Sequence, residues 1–227
     1  MTVNNVAFII PVYNEAEVIA ETIAGISEEY AVICVDDGSR DGSGNIIAET
    51  RAILVSHPIN MGQGAALQTG IEYALQFPQF EYFVTFDADG QHDINDIEKM
   101  LKVIKKEKLD VVLGSRFLGE SLNMKRSKYV LLKLAIKFTN SFSKVRLTDT
   151  HNGIRVLNRE FAESLDIQMP DMAHASEIID KIGRNDWKYI EVPVTIRYTD
   201  YSLAKGQSAF NSFNILFDVL LQRGKRK

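Results

Sequence analysis

The sequence predicts an α/β protein in which helices cover both faces of a mostly parallel β-sheet. Two observations indicate this fold class. Short apolar runs recur along the first half of the chain, and they lack the alternation of apolar and polar residues that marks a strand with one exposed face. Segments with apolar residues at helical spacing separate these runs, as expected when helices join parallel strands.

The predicted elements alternate regularly from the N-terminus. Each strand is rich in β-branched or aromatic residues, and each helix repeats apolar residues three or four positions apart. The sequence predicts strands over residues 6–10, 32–35, 53–55, 82–86 and 111–113. The helices predicted to follow the first four strands cover residues 15–28, 41–50, 62–75 and 95–106.

The second half of the chain is predicted to add helices and two short strands. Apolar residues at helical spacing, with lysines between them, predict a basic amphipathic helix over residues 129–142. Two short strands broken at Pro193 are predicted within residues 187–196, and an apolar helix over residues 210–221 precedes a basic tail. We expect one domain over residues 1–208 and a C-terminal amphipathic helix with its tail over residues 209–227.

The composition is that of a soluble globular protein. Of the 227 residues, 45% are hydrophobic and 25% are charged. No apolar run reaches the length of a membrane-spanning helix, and the chain does not begin with a basic segment followed by an apolar one. The single cysteine, Cys34, excludes an internal disulfide and is interpreted as a small core residue. We therefore expect a cytoplasmic protein.

Charge is distributed unevenly along the chain. Residues 1–120 contain 19 acidic and 8 basic side chains, whereas residues 121–148 contain seven basic ones and no acidic one. The basic segment can face a diphosphate, a lipid phosphate, an anionic membrane surface or only solvent, and the sequence leaves these alternatives open. Its amphipathic helix is compatible both with lying on a membrane and with packing on the sheet.

Asp87 and Asp89 are the strongest candidates for a functional site. They follow the apolar run over residues 82–86 directly, and Gly90 then permits a close turn of the backbone. Carboxylates at the end of a buried strand suit Mg²⁺ or Mn²⁺, which prefer oxygen ligands and keep coordination positions for substrate phosphates. The alternative interpretation is an ordinary turn, because aspartate and glycine are common turn residues.

Three further segments are expected beside these aspartates, because each directly follows a predicted strand. They cover residues 11–15, 36–39 and 114–116. Ligands of parallel sheets bind outside the carboxyl ends of the strands, so all four segments should meet at one edge. Several carboxylates that converge there would repel one another unless a cation and polar ligand groups compensate them.

Together the four segments resemble the successive signatures of family 2 glycosyltransferases, nearest the branch that includes dolichyl-phosphate mannose synthase. The resemblance covers about residues 4–208, and four motifs in one order are far more specific than any single one. The motifs read Pro-Val-Tyr-Asn-Glu at 11–15, Asp-Asp-Gly-Ser at 36–39, Asp-Ala-Asp-Gly-Gln-His at 87–92 and Gly-Ser-Arg at 114–116.

This resemblance implies a GT-A fold, with a Rossmann-like, mostly parallel sheet flanked by helices and with C-terminal helices on the acceptor side. It implies an enzyme that uses Mg²⁺ or Mn²⁺ and a nucleoside diphosphate sugar donor, and that transfers the sugar with inversion. The implied acceptor is a polyprenyl phosphate or a glycan hydroxyl in cell-surface polysaccharide or glycolipid synthesis, with no nucleic acid partner. A lipid acceptor would require peripheral contact with the inner face of the membrane or with a membrane protein.

The resemblance also implies roles for individual residues at this edge of the sheet. Asp89 and Gln91 correspond to metal ligands, and Asp87 corresponds to the acidic residue near the ribose and the metal. The residues that correspond to the nucleoside pocket are Pro11, Tyr13, Glu15 and Asp36.

Four basic residues are expected to face phosphate groups. Arg116 can face the leaving diphosphate or an acceptor phosphate, with a surface salt bridge as the alternative. Arg126 best matches the arginines that engage acceptor phosphate in the dolichyl-phosphate branch. Arg197 and Lys205 lie in a polar loop over residues 197–208, which resembles a family loop that closes over the diphosphate. A mobile surface loop is the alternative interpretation.

Two carboxylates are candidates for a general base, which is needed only if the acceptor is a sugar hydroxyl. Asp149 is the first candidate, and with Arg155 it belongs to a segment over residues 147–155 that resembles a family motif. Glu177 is the second candidate, and its alternative role is that of an acidic residue near the N-terminus of a helix. A polyprenyl phosphate is already ionised near neutral pH, so Asp149 would then orient a neighbouring group or a ligand.

Two other functions compete with glycosyl transfer. Nucleotidyl transfer also uses paired aspartates and Mg²⁺, but it usually shows a glycine-rich, basic loop after the first strand, where this chain has residues 11–15. A non-catalytic nucleotide-sugar-binding subunit is the other alternative. The presence of Asp87, Asp89, Gln91 and Arg116 argues against it.

Overall fold

The computed structural model describes residues 5–169, 173–199 and 201. The strands are Val6–Val12 (β1), Ala31–Asp36 (β2), Ile53–Ser56 (β3), Tyr82–Thr85 (β4), Val111–Leu122 (β5), Arg155–Asn158 (β6) and Tyr189–Arg197 (β7). The helices are Ile19–Gly25 (α1), Ser43–Ala48 (α2), Gln63–Leu75 (α3), Ile94–Glu107 (α4), Arg126–Phe142 (α5), Arg159–Ser164 (α6) and Ala173–Arg184 (α7).

The seven strands of the described residues form one sheet in the order β3-β2-β1-β4-β6-β5-β7. Strand β6 is antiparallel to both of its neighbours, whereas every other neighbouring pair is parallel. The prediction of a mostly parallel sheet flanked by helices is confirmed. Strand β6 is missing from the predicted elements because Arg-Val-Leu-Asn is too short an apolar run to be distinguished from a loop.

The last two strands at one edge of the sheet are longer than predicted. Strand β5 continues for 12 residues and, after an irregularity between Ser115 and Glu120, pairs with β7 as far as Leu122. Strand β7 passes through Pro193 without a break, so the prediction of two short strands is wrong. Because β7 is an edge strand, a proline whose nitrogen faces away from the sheet removes no ladder hydrogen bond.

Apolar side chains pack on both faces of the sheet. The core on the face covered by α1, α2 and α4 includes Phe8, Ile10, Ile23, Ile47, Ile97 and Met100. The core on the opposite face, covered by α3, α6 and α7, includes Ile9, Leu67, Ile71, Phe83, Phe161 and Ile178. Cys34 is fully buried, and burial raises the pKa of its thiol to about 12, so it is a core residue, as the sequence suggests.

Some predictions fall on residues that are not described. Lys205, the helix over residues 210–221 and the domain boundary after residue 208 all lie outside the described residues. Within the described part of the chain, no helix has both the length and the apolar character needed to cross a bilayer.

Candidate active site

Four strands that run in the same direction bring the predicted segments to one edge of the sheet. Strands β1, β2 and β4 are parallel, and β5 has the same direction because β6 is antiparallel to both β4 and β5. Residues 114–116 lie within β5, just beyond the point where its pairing with β6 ends at Leu113. We call this edge the carboxyl rim, formed by residues 11–16, 36–43, 86–92 and 114–116.

Hydrogen bonds fasten the segment after β1 to the segment after β2. The Asn14 N–H donates to Ser39 Oγ at 2.9 Å, and the Glu15 N–H donates to Ser43 Oγ at 2.8 Å. Asn14 has a φ of 54°, in the left-handed region, which a right-handed helix cannot include. Helix α1 begins only at Ile19, after Val18 with a non-helical φ of −127°, so the predicted start at residue 15 is wrong.

Asp36 and Asp37 have different roles. The Asp36 carboxylate accepts the Ser39 N–H at 3.0 Å and remains 9% exposed at the rim. Asp37 is buried, and its carboxylate accepts the N–H groups of Met61 and Gly62 at 2.9 and 2.8 Å. Asp37 therefore holds the loop before α3 in position, a role that the sequence analysis does not assign to it.

The other residues of the predicted nucleoside pocket lie in or beside the first rim segment. Tyr13 is 44% exposed, and Pro11 lies within β1 beside Val35 of β2. The Tyr201 hydroxyl donates to Glu15 Oε2 at 2.7 Å. This contact brings the chain beyond β7 against the segment that follows β1.

Asp87 is held by three surrounding groups. His92 Nε2 lies 2.9 Å from Asp87 Oδ2, and the Gln63 side-chain amide donates to Asp87 Oδ1 at 3.2 Å. A Cβ atom on Gly153 would clash with the same carboxylate, so only glycine fits beside it. The sequence analysis identifies Asp87 but none of these partners.

The Asp87 carboxyl is ionised at neutral pH. Burial by itself raises its pKa, but the hydrogen bond and charge of His92, together with the charges of Arg155 and His174, outweigh this effect. The pKa of Asp87 is therefore lowered. Its side chain is still 28% exposed, which leaves room for a ligand at the rim.

The surroundings of Asp89 have the opposite effect, because they raise the pKa of its carboxyl. Burial raises the pKa of its carboxyl, and the negative charges of Asp87 and Glu15 raise it further. Its oxygens accept the Gln91 N–H at 3.1 Å and the Gln91 side-chain amide. The structure therefore brings Glu15, Asp87, Asp89 and Gln91 together, although they come from two different rim segments.

These residues fit a divalent cation of the hard type. The two aspartates supply carboxylate oxygens, and their mutual repulsion decreases when a cation binds between them. Among the described residues, no group of three or more His, Cys, Asp or Glu side chains forms a complete metal site. A cation held by Asp87 and Asp89 must therefore take further ligands from Gln91, a substrate phosphate or water.

Arg116 and Asp149 form a buried ion pair. Arg116 Nε lies 2.6 Å from Asp149 Oδ2, and the side chain of Asp149 is fully buried. The remaining Arg116 nitrogens donate to the Tyr198 hydroxyl at 2.9 Å and the His151 carbonyl at 3.1 Å. The alternative of a surface salt bridge for Arg116 is therefore wrong, because the pair is interior.

The Glu191 carboxylate on β7 holds the segment that contains Asp149 in position. Glu191 accepts the backbone N–H groups of Thr148 and Asp149 at 2.7 and 3.0 Å and the Thr148 hydroxyl at 2.9 Å. Glu191 is not among the predicted site residues. The signal in the sequence is an acidic side chain between the apolar residues Ile190 and Val192.

Arg155 connects the two acidic parts of the site. It is buried, and burial lowers the pKa of its guanidinium to about 10, against the opposing influence of Asp87 and Asp149. Arg155 thus stays charged at neutral pH. His151 is neutral there, since burial is the main cause that lowers its pKa to about 4.

Lys128 is a basic residue at the site that the sequence analysis does not single out. Its ammonium lies 4.3 Å from the centre of the Tyr198 ring. Burial lowers the pKa of Lys128, the charge of Arg116 lowers it further, and Asp89 opposes both. Lys128 therefore interacts with both halves of the site, whereas Arg126 is exposed at the start of α5.

Two other predicted residues make contacts elsewhere. The Glu177 carboxylate accepts the backbone N–H groups of Gln168 and Met169, both at 2.9 Å, and borders a small cavity of about 100 Å³ beside α7. Arg197 is 62% exposed, and its guanidinium lies 3.4 Å from Asp93. Neither contact joins these two side chains to the paired aspartates.

Proteins of similar sequence include glycosyltransferases named for lipid acceptors. The chain is 31% identical to UDP-N-acetylglucosamine–dolichyl-phosphate N-acetylglucosaminyltransferase of Methanococcus voltae, over 96% of each chain. It is 28% identical to polyprenol monophosphomannose synthase of Mycolicibacterium smegmatis, over 93% of this chain and 84% of that protein. An uncharacterised protein of Methanocaldococcus jannaschii is 33% identical over 95% of this chain and 90% of its own length.

Solved structures of similar fold include glucosyl-3-phosphoglycerate synthase from Mycobacterium tuberculosis. Its complex with phosphoglyceric acid aligns with a TM-score of 0.74 at 17% identity, over 96% of this chain and 80% of that one. Its complex with Mn²⁺, UDP-glucose and phosphoglyceric acid aligns with a TM-score of 0.69 at 16% identity, over 96% and 79%. These likenesses confirm the GT-A fold.

The family assignment rests on the sequence match and on the strand order together. Residues 7–166 match the family described as glycosyl transferase family 2. The matched region includes β1 to β6 and all four rim segments. The chain therefore belongs to glycosyl transferase family 2, and the resemblance to the dolichyl-phosphate branch is confirmed.

Proposed function

We propose that this enzyme transfers a sugar from a nucleoside diphosphate sugar to a polyprenyl phosphate, with Mg²⁺ or Mn²⁺ as cofactor and with inversion. The observation that carries the proposal is the pair formed by Asp87 and Asp89 at the carboxyl rim, where burial and the negative charge of Asp87 raise the pKa of Asp89. The names of two relatives, which refer to dolichyl phosphate and polyprenol, support the acceptor. The complex of the structural neighbour with Mn²⁺ and UDP-glucose supports the donor and the metal.

On the donor side, each rim segment has a distinct role in the proposal. The nucleoside binds between the first two rim segments, against Pro11, Tyr13, Glu15 and Asp36. Asp87, Asp89 and Gln91 hold the cation beside the diphosphate. When bound, the cation neutralises the diphosphate as it leaves. Arg197 and Lys205 are proposed to add positive charge there.

On the acceptor side, basic residues predominate. Lys128, which interacts electrostatically with Arg116 and Asp89, provides positive charge next to the paired aspartates, and Arg126 lies two residues before it on α5. An anionic phosphate acceptor suits this environment better than a neutral sugar hydroxyl does. The positive charge of these residues therefore favours a polyprenyl phosphate over a glycan hydroxyl as the acceptor.

The ion pair of Asp149 supports the same choice of acceptor. A carboxylate that is fully buried and bonded to Arg116 is poorly placed to accept a proton from a hydroxyl, and Glu177 is occupied by backbone amides. We therefore assign Asp149 to the positioning of Arg116. Arg155 is assigned to charge compensation between Asp87 and Asp149.

The proposed reaction is a single displacement. An oxygen of the acceptor phosphate attacks the anomeric carbon on the face opposite the nucleoside diphosphate, and the bond from that carbon to the diphosphate oxygen breaks with its electron pair leaving on oxygen. No proton transfer is required, since the attacking phosphate is ionised. The protein orients both phosphates and excludes alternative geometries.

We also infer that residues 1–208 form the catalytic domain and that residues 209–227 form a separate C-terminal unit. The enzyme acts as a peripheral protein at the inner face of the membrane, because its proposed acceptor is a membrane lipid.

Product analysis tests the proposed function. The full chain is incubated with UDP-glucose, UDP-N-acetylglucosamine or GDP-mannose, with Mn²⁺ and with extracted polyprenyl phosphate. We expect release of a nucleoside diphosphate together with a glycosylated lipid phosphate. Release of pyrophosphate would instead support nucleotidyl transfer, and tight donor binding without any turnover would support a non-catalytic subunit.

A further inference from the structure

Helix α5 is an amphipathic helix whose outward face is apolar in the middle and basic around it. Of its residues with described burial, Ile136 alone is buried. Val130 and Leu134 are 55% and 61% exposed, one helical turn apart. Five of the ten large hydrophobic residues that are exposed in the described part of the chain lie within residues 118–134. Such clustering marks an interaction surface.

The segment that contains α5 is basic, although the exposed Glu120 lies between Leu118 and Leu122 just before it. Residues 121–148 contain seven lysines and arginines and no acidic residue, although the whole chain has a net charge of −4. Lys125, Arg126 and Lys137 are exposed, and Arg126 and Lys137 share the helical face of Val130 and Leu134. We call Arg126, Val130, Leu134 and Lys137 the outer face of α5.

The opposite face of the same helix meets the active site. Lys128 reaches the Tyr198 ring and interacts electrostatically with Arg116 and Asp89, while Ile136 packs inward. One helix thus separates the site from the exposed stripe by about its own diameter, roughly 10 Å. If the outer face rested on a bilayer, the active site would therefore lie about one helix diameter from the bilayer surface.

We propose that the outer face of α5 docks the enzyme on an anionic lipid surface, an inference that rests on the proposed polyprenyl phosphate acceptor. Apolar side chains enter the boundary between headgroups and acyl chains, and the surrounding lysines and arginines bind anionic headgroups. A second copy of the chain suits this face less well, because a two-fold contact would place like charges together.

Vesicle binding by the full chain tests the proposal. Wild type is sedimented with vesicles of neutral phosphatidylcholine or of phosphatidylcholine with phosphatidylglycerol, without any nucleotide sugar. We expect binding only when phosphatidylglycerol is present, and less binding as salt increases. The double variant Val130→Ser/Leu134→Ser should bind about tenfold more weakly or worse.

Matched variants separate the apolar and the electrostatic contributions. Lys125→Gln/Lys137→Gln should also weaken vesicle binding about tenfold, whereas Lys102→Gln/Lys106→Gln on α4 should bind as wild type does. Ile53→Ser, which removes an exposed apolar side chain on β3 at the far edge of the sheet, should likewise bind as wild type does.

Three outcomes would overturn the proposal. They are the absence of wild-type binding to anionic vesicles, equal binding by the Val130→Ser/Leu134→Ser variant, and a wild-type dimer that this variant converts to a monomer without vesicle binding. Binding of UDP-sugars with Mn²⁺ is measured on the same samples in the absence of lipid. If wild type binds the UDP-sugar but does not bind vesicles, only the proposed docking surface is contradicted. If wild type does not bind the UDP-sugar, the proposed function is contradicted.

Discussion

Asp89 is the residue on which the proposed metal binding depends most directly. Burial raises the pKa of its carboxyl, and the charges of Asp87 and Glu15 raise it further. A divalent cation that binds to both aspartates removes this repulsion and favours the ionised form. Cation binding and ionisation of Asp89 are therefore linked.

Replacement of this charge without a change in volume tests the metal site. We expect Asp89→Asn to bind a UDP-sugar with little dependence on Mn²⁺, and to bind it about tenfold more weakly than wild type when Mn²⁺ is present. Calorimetric titration with and without Mn²⁺ measures both effects. Asp186→Asn, at the opposite end of the sheet just before β7, serves as the control. Wild-type affinity and metal dependence in Asp89→Asn would refute the assignment.

The role of Asp149 can be separated from that of a general base by its effect on stability. Asp149→Ala leaves the buried charge of Arg116 unpaired, so we expect the free energy of unfolding to fall by about 3 kcal/mol in urea titration. Glu163→Ala, which breaks an exposed ion pair with Arg159, should change it by about 0.5 kcal/mol or less. A loss of kcat with unchanged stability would instead identify Asp149 as a general base.

At the scale of elements, the segment that leads into β6 shapes the donor side of the site. The Thr85 hydroxyl at the end of β4 donates to the Gly153 carbonyl at 2.5 Å, and the Gly153 Cα lies beside the Asp87 carboxylate. The segment before β6 therefore limits where the Asp87 carboxylate can lie.

A single methyl group at this contact should disturb the site more than the fold. We expect Gly153→Ala to displace Asp87 and to weaken binding of a UDP-sugar with Mn²⁺ by about tenfold or more, since the added Cβ occupies the space of the carboxylate. Gly25→Ala, at the end of α1, meets only Ile94 at 4.0 Å and should bind the donor normally. Equal donor affinity in both variants would contradict the proposed importance of this contact.

At the scale of the whole molecule, buried ionisable groups connect stability to pH. Burial lowers the pKa of His151 from its ordinary value to about 4. As the pH falls below about 6.5, the unfolded chain binds a proton at this residue that the folded chain does not bind. The folded state therefore loses stability as the pH falls towards 4, and His151 contributes no pH dependence above this window.

Removal of the His151 imidazole should make the free energy of unfolding depend less on pH below pH 7. Between pH 7 and pH 4 we expect His151→Asn to lose about 3 kcal/mol less unfolding free energy than wild type does. Urea titrations at intervals across this range measure the difference. The two proteins should show the same slope between pH 7 and pH 8.5, and parallel curves down to pH 4 would show that His151 titrates normally in the folded protein.

Local patterns in the sequence account for the sheet and for the rim segments, but not for the contacts that join them. The first five strands and the position of Asp87 and Asp89 follow from apolar runs and the residues that end them. Asp37, Asp149 and Glu191 each have a partner 24 to 43 residues away along the chain, and no local spacing indicates these partners. Lys128 belongs to the same group, because only the folded chain brings it to Tyr198.

The location of Arg155 between Asp87 and Asp149 has a consequence for attempts to engineer this enzyme. Asp87 and Asp149 both stabilise the charged form of Arg155, so a substitution that removes either carboxylate changes the electrostatic environment of this guanidinium. Loops can be exchanged with those of a relative in order to change the transferred sugar. Such exchanges must preserve the charge balance between Arg155 and the carboxylates of Asp87 and Asp149. Grafts that include the segment from 147 to 155 should retain turnover more often than grafts that omit it.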